Sequence, residues 1–190
     1  MAKPKLNDAD FARGASALEV DVPSIKAVFE VEAPLGGFLD DGQVTILFER
    51  HKFSQFTKGR YDRSHPHISN PEPGGYGPAG QHQHDRLAEA VALDRDAALK
   101  ATSWGKPQIM GFNHALAGFP NLQAFITAMH HSEGAQLDAF VNFIRNQPLL
   151  LSALRAKNWS RFAARYNGPA YAKHDYHGRL AKAYRKHGGK

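Results

Sequence analysis

The chain of 190 residues contains no cysteine and no long hydrophobic run. Because no disulfide can form, the fold owes nothing to the redox state, and the protein could work in the cytoplasm or outside it. The run Leu149-Leu150-Leu151 falls far short of the roughly 20 apolar residues that cross a bilayer. No apolar segment follows the first residues, so we expect no cleavable signal peptide.

Acidic residues are fewer than basic residues. Lys and Arg total 24 against 18 Asp and Glu, which gives a formal net charge of +6 and a pI of about 9.6. An excess of this sign favours a polyanionic partner, such as nucleic acid, anionic lipid or an acidic cell-wall polymer. Most of the cations are scattered and form no recognisable element for reading nucleic acid, so we expect no nucleic-acid partner.

The composition is 42% hydrophobic, as in an ordinary globular protein, and the length predicts a single domain over residues 1–190. Near the N-terminus, a helix is predicted at Asp8–Leu18, and a second, capped by Asp21, runs to about Glu32. A small antiparallel hairpin follows, with a strand at Phe38-Leu39, a turn at Asp41-Gly42 and a return strand from Gln43 to His51.

A stretch rich in proline and glycine, from Ser64 to Gln83, separates this hairpin from a helical C-terminal half that begins at Asp85. A further short helix is predicted to open at Pro148, and a basic helix at about 174–187 closes the chain. The predicted helix N-caps in this half are Asp94, whose helix would reach Thr102, Asn121, Ser132 and Asn158. The predicted class is therefore mainly α (α+β).

Glu32 occupies an unusual position on the second predicted helix. Ile25, Val28 and Phe29 form a core-facing stripe at i, i+3 and i+4, and Glu32 takes the i+7 position. Burial and the negative end of the helix dipole would both favour the protonated carboxyl, which is the form that a general acid needs. The pattern alone nevertheless favours a simpler interpretation, a helix-end side chain that bends out to water.

Glu49 is a second carboxylate of interest, predicted to share a strand face with Thr45, Leu47 and His51. Two carboxylates flanking a sugar bond are the usual arrangement in glycosidases. The alternative is a strand-end ion pair with Arg50, Lys52 or His51. Spacing along the sequence leaves both interpretations open.

Several segments, taken together and in order, resemble the lysozyme-like glycosidases. Glu32–Phe38 resembles their catalytic glutamate, short turn and aromatic residue, and Tyr166-Asn167-Gly168 resembles the Tyr-Asn motif that closes their cleft. Ser103–Gly111 is similar to the Ser-x-Gly-x-x-Gln-Ile-Met segment of goose-type lysozymes and lytic transglycosylases. The nearer resemblance, over about residues 18–187, is to the N-acetylmuramidase family of phage and prophage endolysins, through Phe48–Phe53, Gly74–Gly77, Ser103–Gly111, Ser132–Leu137 and Tyr166–Pro169.

This resemblance implies a lysozyme-like fold, with the hairpin beside the cleft, and hydrolysis of the β-1,4 bond between N-acetylmuramic acid and N-acetylglucosamine in peptidoglycan. It implies that Glu32 is the general acid, which reverses the interpretation from the pattern alone, and that Glu49 is the second carboxylate, assisted by His51. The residues expected to bind the glycan are His51, Tyr76, Ser103, Gln108, Tyr166 and Asn167. One departure is Lys106-Pro107, where these families usually carry two apolar residues.

Histidine is abundant, and two His-x-His pairs, at 65/67 and 82/84, lie around the stretch rich in proline and glycine. A zinc site would need its ligands on rigid elements. The loop composition predicts solvated histidines instead, and we expect neither a metal nor another cofactor.

The basic C-terminal helix has two interpretations. Leu180, Ala183 and Tyr184 lie on one side and cations on the other, so the helix is either docked on the core and solvated, or attracted to an anionic outer-membrane surface. Two rivals to the hydrolase also remain: a lytic transglycosylase that releases anhydro-muropeptides, and a non-catalytic module that binds peptidoglycan. The missing signal peptide fits an endolysin made in the bacterial host cytoplasm that reaches periplasmic peptidoglycan at lysis, and we expect a monomer.

Overall fold

The computed structural model describes residues 3–33, 36–166 and 175–190. Helices dominate these residues, and three short strands form one antiparallel sheet. The elements are α1 (Asp8–Leu18), α2 (Val22–Glu32), β1 (Ile46–Phe48), α3 (Arg50–Thr57), α4 (Gln81–Leu93), α5 (Arg95–Lys100), β2 (Thr102–Trp104), β3 (Ile109–Met110), α6 (Leu122–Met129), α7 (Glu133–Arg145), α8 (Pro148–Arg155), α9 (Trp159–Tyr166) and α10 (Tyr176–Lys186).

The two N-terminal helices form over the predicted residues. The Asp21 side chain accepts the Ser24 N–H at 3.0 Å, which caps α2 and satisfies one of its free donors. The predicted stripe of α2 is buried, and the Phe29 ring packs edge-on against Phe140 of α7 with centroids 5.4 Å apart. Helix α2 also packs against α1 and α10. Glu32 is therefore carried by a helix that is fixed on several sides.

The sheet is larger than the predicted hairpin, because β1 pairs with β2 rather than with the preceding segment. Ile46 lies opposite Trp104, and Ser103 lies opposite Met110 of β3. The predicted turn at Asp41-Gly42 does form, but among the described residues before it we find only one bridge, between Phe38 and Val44. The predicted alternation is confirmed in that Val44, Ile46 and Phe48 all point into the core.

The prediction that the return strand reaches His51 is wrong. Helix α3 begins at Arg50, and the Glu49 carbonyl accepts the N–H groups of Lys52 and Phe53, both at 3.0 Å. Phe53 and Thr57 lie one helical turn apart on the buried side, so a helix buries residues that a continued strand would place on both faces.

The C-terminal half follows the predicted caps closely. The side chains of Asp94, Asn121 and Ser132 each accept an N–H at the start of α5, α6 and α7, and the Asn158 side chain accepts the Arg161 N–H at 3.0 Å. Two boundaries were predicted wrongly. Helix α4 begins at Gln81 rather than Asp85, and α5 ends at Lys100 because Thr102 enters β2.

One cluster of buried hydrophobic residues extends from α1 to α10 and includes the inward faces of β1 and β2. The closing helix α10 contributes Leu180, Ala183 and Tyr184 to it, as predicted, and leaves Arg179, Lys182 and Arg185 exposed. Within the described ranges, no helix is both long and apolar enough to cross a membrane.

Candidate active site

Glu32 lies in the last turn of α2 and is half-buried. It lies close enough to Tyr166, at the end of α9, for the two groups to interact electrostatically. Burial, and then the negative charge of Glu32, raise the pKa of the Tyr166 phenol well above its ordinary value. The phenol therefore stays protonated and remains a hydrogen-bond donor beside this carboxylate.

Three aromatic rings hold Tyr166 in place. Its ring stacks on Phe162 with centroids 5.8 Å apart and meets Phe140 and Phe143 edge-on at 5.8 and 6.1 Å. Tyr166 is therefore packed into the core while its phenol lies within electrostatic reach of Glu32. Asn167, the other half of the predicted Tyr-Asn motif, lies outside the described residues.

Glu49 is the N-cap residue of α3 and immediately follows β1. Its Oε2 lies 3.3 Å from His51 Nε2, so the ion pair considered from the sequence forms, though across a helix N-terminus rather than at a strand end. His51 Nδ1 is buried without a hydrogen-bond partner.

Ser103 and Gln108 form a second predicted pair that the structure brings together. The Ser103 hydroxyl donates to Gln108 Oε1 at 2.8 Å, and Gln108 Nε2 donates to the carbonyls of Gly105 and Thr45 at 2.7 and 3.2 Å. Gln108 thus ties the turn between β2 and β3 to the residue before β1. The Gln108 N–H also donates to the Gly105 carbonyl at 3.1 Å, so the turn closes around Lys106-Pro107 despite the departure from the family pattern.

Tyr76 lies in the glycine-rich segment, which two glycines hold against the rest of the fold. A Cβ at Gly75 would come within 2.6 Å of the Arg50 guanidinium carbon, and both Gly75 and Gly77 have positive φ. The Tyr76 carbonyl accepts Gln83 Nε2 at 2.6 Å, while Gln83 Oε1 accepts the Phe48 N–H at 3.1 Å. Within the described part of the chain, the Tyr76 ring pairs with no other aromatic ring.

A cavity of about 620 Å³ opens between these segments. Its walls are the 36–41 segment, residues 45–47 at β1, the glycine-rich segment from Gly77 to Gly80, and Gln108. Gln108 is the predicted site residue that lines it directly, with Ser103 bound to it from behind. Its lining residues in the described part of the chain do not include Glu32 or Glu49. We refer to this cavity as the cleft.

Two residues of α7, Glu133 and Gln136, bind the backbone at the edge of the cleft. Neither of them was given a role from the sequence. Glu133 Oε1 accepts the Gly37 N–H at 2.9 Å, and Gln136 Nε2 donates to the Gly37 carbonyl at 3.2 Å. Gln136 Oε1 also accepts the Lys106 N–H at 2.7 Å. The two side chains therefore fasten the segment that leaves Glu32 to the turn that carries Gln108. The sequence contained a signal for the role of Gln136, because this polar residue lies four positions before Phe140 on the otherwise apolar stripe of α7.

The histidine pairs have ordinary partners. His84 lies in α4, where its Nε2 is 3.0 Å from the Val44 carbonyl oxygen, and His67 Nε2 is 2.7 Å from a carboxylate oxygen of Glu89. The prediction of loop histidines is wrong for His82 and His84, because α4 begins before them. Across 3–33, 36–166 and 175–190, no three potential ligands cluster as a metal site would require.

Comparisons with known proteins agree with this arrangement. The family model described as N-acetylmuramidase matches residues 21–188. A crystal structure of the endolysin of Burkholderia phage AP3 superposes with a TM-score of 0.90 and 42% sequence identity, over 96% of this chain and 70% of that one. A comparison with curated proteins finds no match. The model match covers well over half of the residues and the structural match nearly all of them, and the chain belongs to the N-acetylmuramidase family of peptidoglycan-degrading enzymes.

Proposed function

We propose that the enzyme hydrolyses the β-1,4 bond between N-acetylmuramic acid and N-acetylglucosamine, with Glu32 as the general acid. The observation that carries this proposal is the position of Glu32 at a half-buried helix end, close enough to the Tyr166 phenol for the two groups to interact electrostatically. A general acid needs a fixed position and restricted access to water, and α2 together with the aromatic cluster around Tyr166 provides both. Glu32 would donate its proton to the glycosidic oxygen as the bond breaks.

Glu49 would act as the second carboxylate, either activating the attacking water or stabilising the positive charge that develops on the sugar ring. Its contact with His51 supports this role, because the imidazole nitrogen 3.3 Å from Oε2 restricts the positions open to the carboxylate. Ser103 and Gln108 would shape the cleft through their mutual hydrogen bond, and Tyr76 would offer a ring for sugar stacking.

The first experiment is mass spectrometry of the products released from purified Gram-negative peptidoglycan. Wild type should release muropeptides with reducing ends, whereas Glu32→Gln should fold normally and lose about 10²- to 10⁴-fold in rate. Glu30→Gln is a matched control, because it makes the same change on the same helix at an exposed carboxylate that pairs with Lys186 and His187. A Glu32→Gln enzyme as active as Glu30→Gln would refute the assignment.

The products also separate hydrolysis from transglycosylation. Anhydro-muropeptides from the wild-type enzyme would mean that the sugar's own 6-hydroxyl attacks, and Glu49 would then have no water to activate. In a hydrolase, Glu49→Gln should lower the rate strongly and leave the product type unchanged. Release of no product by any variant would favour a module that only binds peptidoglycan.

We also propose that residues 1–190 act as one monomeric catalytic domain, made in the bacterial host cytoplasm and active on periplasmic peptidoglycan at lysis. The continuous hydrophobic core supports the single domain, and the likeness to a phage endolysin supports the setting. Sedimentation of the purified protein at several concentrations tests the monomer.

A further inference from the structure

A second cavity, of about 610 Å³, lies on the other side of the segment that forms one wall of the cleft. The shared wall consists of residues 36–41, with Phe38, Asp40 and Asp41 lining both cavities. Three lysines, Lys3, Lys5 and Lys106, complete the lining of the second cavity together with Glu133. We call it the lysine pocket.

The backbone around the lysine pocket is fixed. Glu133 N–H donates to the Pro4 carbonyl at 3.1 Å, and the Leu6 N–H donates to Glu133 Oε2 at 3.2 Å, so the peptide on each side of Lys5 is bound to α7. Lys3 Nζ donates to the His130 carbonyl at 2.7 Å. The backbone that carries Lys5 and the ammonium group of Lys3 are therefore fixed, which lowers the entropy lost when a ligand binds.

The lysine pocket contains three lysines and three carboxylates, those of Asp40, Asp41 and Glu133. Both oxygens of Glu133 accept backbone N–H groups, and both oxygens of Asp41 accept donors from Gln43. In the described part of the chain, neither Lys3 nor Lys5 makes an ion pair, and Asp40 makes none either. Burial, and then the positive charge of Lys3, lower the pKa of His130, as an ammonium group without a counter-ion would.

We propose that the lysine pocket binds the carboxylates of the stem peptide that each N-acetylmuramic acid carries, while Asp40 receives an ammonium group of the same peptide. This inference rests on the proposed function. Because the 36–41 segment lines both cavities, a stem peptide that crosses it from a glycan in the cleft enters the lysine pocket. The stem peptide carries both carboxylates and ammonium groups, and the lysine pocket offers Lys3 and Lys5 to the carboxylates and Asp40 to an ammonium group.

The test compares two substrates: glycan strands with intact stems, and the same strands after an amidase has removed the stems. The Lys3→Gln/Lys5→Gln variant should lose on the order of five- to tenfold in kcat/KM on the stem-bearing strands, as expected for two exposed charge contacts, and should match wild type on the stripped strands. Lys58→Gln is the matched control, since Lys58 is an exposed lysine outside the pocket. Both substrates should be cleaved by Lys58→Gln at the wild-type rate.

A third substrate closes a thermodynamic cycle. Amidation of the stem carboxylates should slow wild type by the same factor as the double substitution, and should not slow the double variant further. Equal loss by the double variant on stripped strands would mean that the pocket holds sugar, and no loss on either substrate would mean that it holds nothing; both results overturn the proposal.

Failure of the proposed function is distinguishable from failure of this inference. If wild type cleaves neither substrate, titration of the free stem peptide into isotope-labelled protein still examines the lysine pocket. Shifts of the Lys5 and Phe38 signals that vanish in the double variant would support peptide binding. Unchanged signals would overturn it.

Discussion

Replacement of Gln136 by leucine should disturb the cleft, because this α7 side chain joins two of the segments around it. The side chain is fully buried, and its three hydrogen bonds reach the Lys106 N–H and the carbonyls of Gly37 and Met129, at 2.7, 3.2 and 2.9 Å. Leucine has a similar volume but neither a donor nor an acceptor. The substitution therefore removes the fastening between the 36–37 segment and the turn at Gly105-Lys106 without opening a large cavity.

The magnitude follows from the partners that remain. The Gly37 carbonyl still accepts the Thr45 N–H at 3.0 Å, so losing its bond to Gln136 costs little stability. The Lys106 N–H, by contrast, loses the acceptor that lies 2.7 Å away. A neutral hydrogen bond contributes about 1 kcal/mol and an orphaned buried donor costs about 1–3 kcal/mol. We expect Gln136→Leu to lower the free energy of unfolding by about 2–4 kcal/mol, a large share of the roughly 5–15 kcal/mol of a typical domain.

Urea unfolding followed by circular dichroism measures this loss, with Gln55→Leu as the control. Gln55 is exposed and its side chain makes only a 3.5 Å contact with Lys52, so its replacement should change stability by less than about 0.5 kcal/mol. Under conditions in which both variants are folded, Gln136→Leu should also lose about 10- to 100-fold in kcat/KM, because misplaced cleft residues are costly. Equal stability and activity in the two variants would refute the fastening role.

Two further predictions concern pH and charge. Burial raises the pKa of Asp21, but hydrogen bonds from Ser24, Lys157 and Tyr184 outweigh burial and hold that pKa well below its ordinary value. Such a carboxyl stabilises the fold above its unfolded pKa of about 4, and this stabilisation is lost as pH falls through the folded pKa. The Tm of Asp21→Asn should therefore decline less than that of wild type between about pH 5 and pH 2. Parallel declines of the two Tm values would contradict this. The double variant Lys182→Gln/Arg185→Gln should bind anionic vesicles roughly 30-fold more weakly at low salt, because each cation contributes about 1 kcal/mol to binding. Unchanged binding and unchanged salt dependence would exclude α10 as a surface attracted to membranes.

Most of the helices, though not α3, were predictable from the sequence because their signals are local. Asp21 and Asn121 each accept an N–H within three residues of themselves, so the cap and its partner can be seen in one short window. The stripe of Ile25, Val28 and Phe29 likewise requires only the helical period. The outer part of the hairpin followed equally from Asp41-Gly42, whose glycine takes a φ of +86°.

The sheet was harder to predict because its pairing is not local. Phe48 lies opposite Thr102, more than fifty residues away along the chain, and each strand is only two or three residues long. Strands this short carry too few alternating residues to stand out from their surroundings. The error at His51 has the same origin. The alternating pattern of β1 continues in the sequence to His51, but helix α3 buries Phe53 and Thr57 on one side, which a continued strand would not do.

The site depends on the same kind of distant contact, which explains why individual motifs were recognisable and their joint geometry was not. Glu32 and Tyr166 interact across most of the chain, and Gln136 reaches residues 30 and 99 positions away. Gly37 and Gly105 lack side chains where a Cβ would lie 2.3 and 2.7 Å from the Gln136 amide, so these two glycines are required by one glutamine. The family motifs are therefore parts of one packed unit. A change at Gly37, Gly105 or Gln136 should act on the cleft in the same way, and double substitutions among the three should cost less than the sum of the single ones.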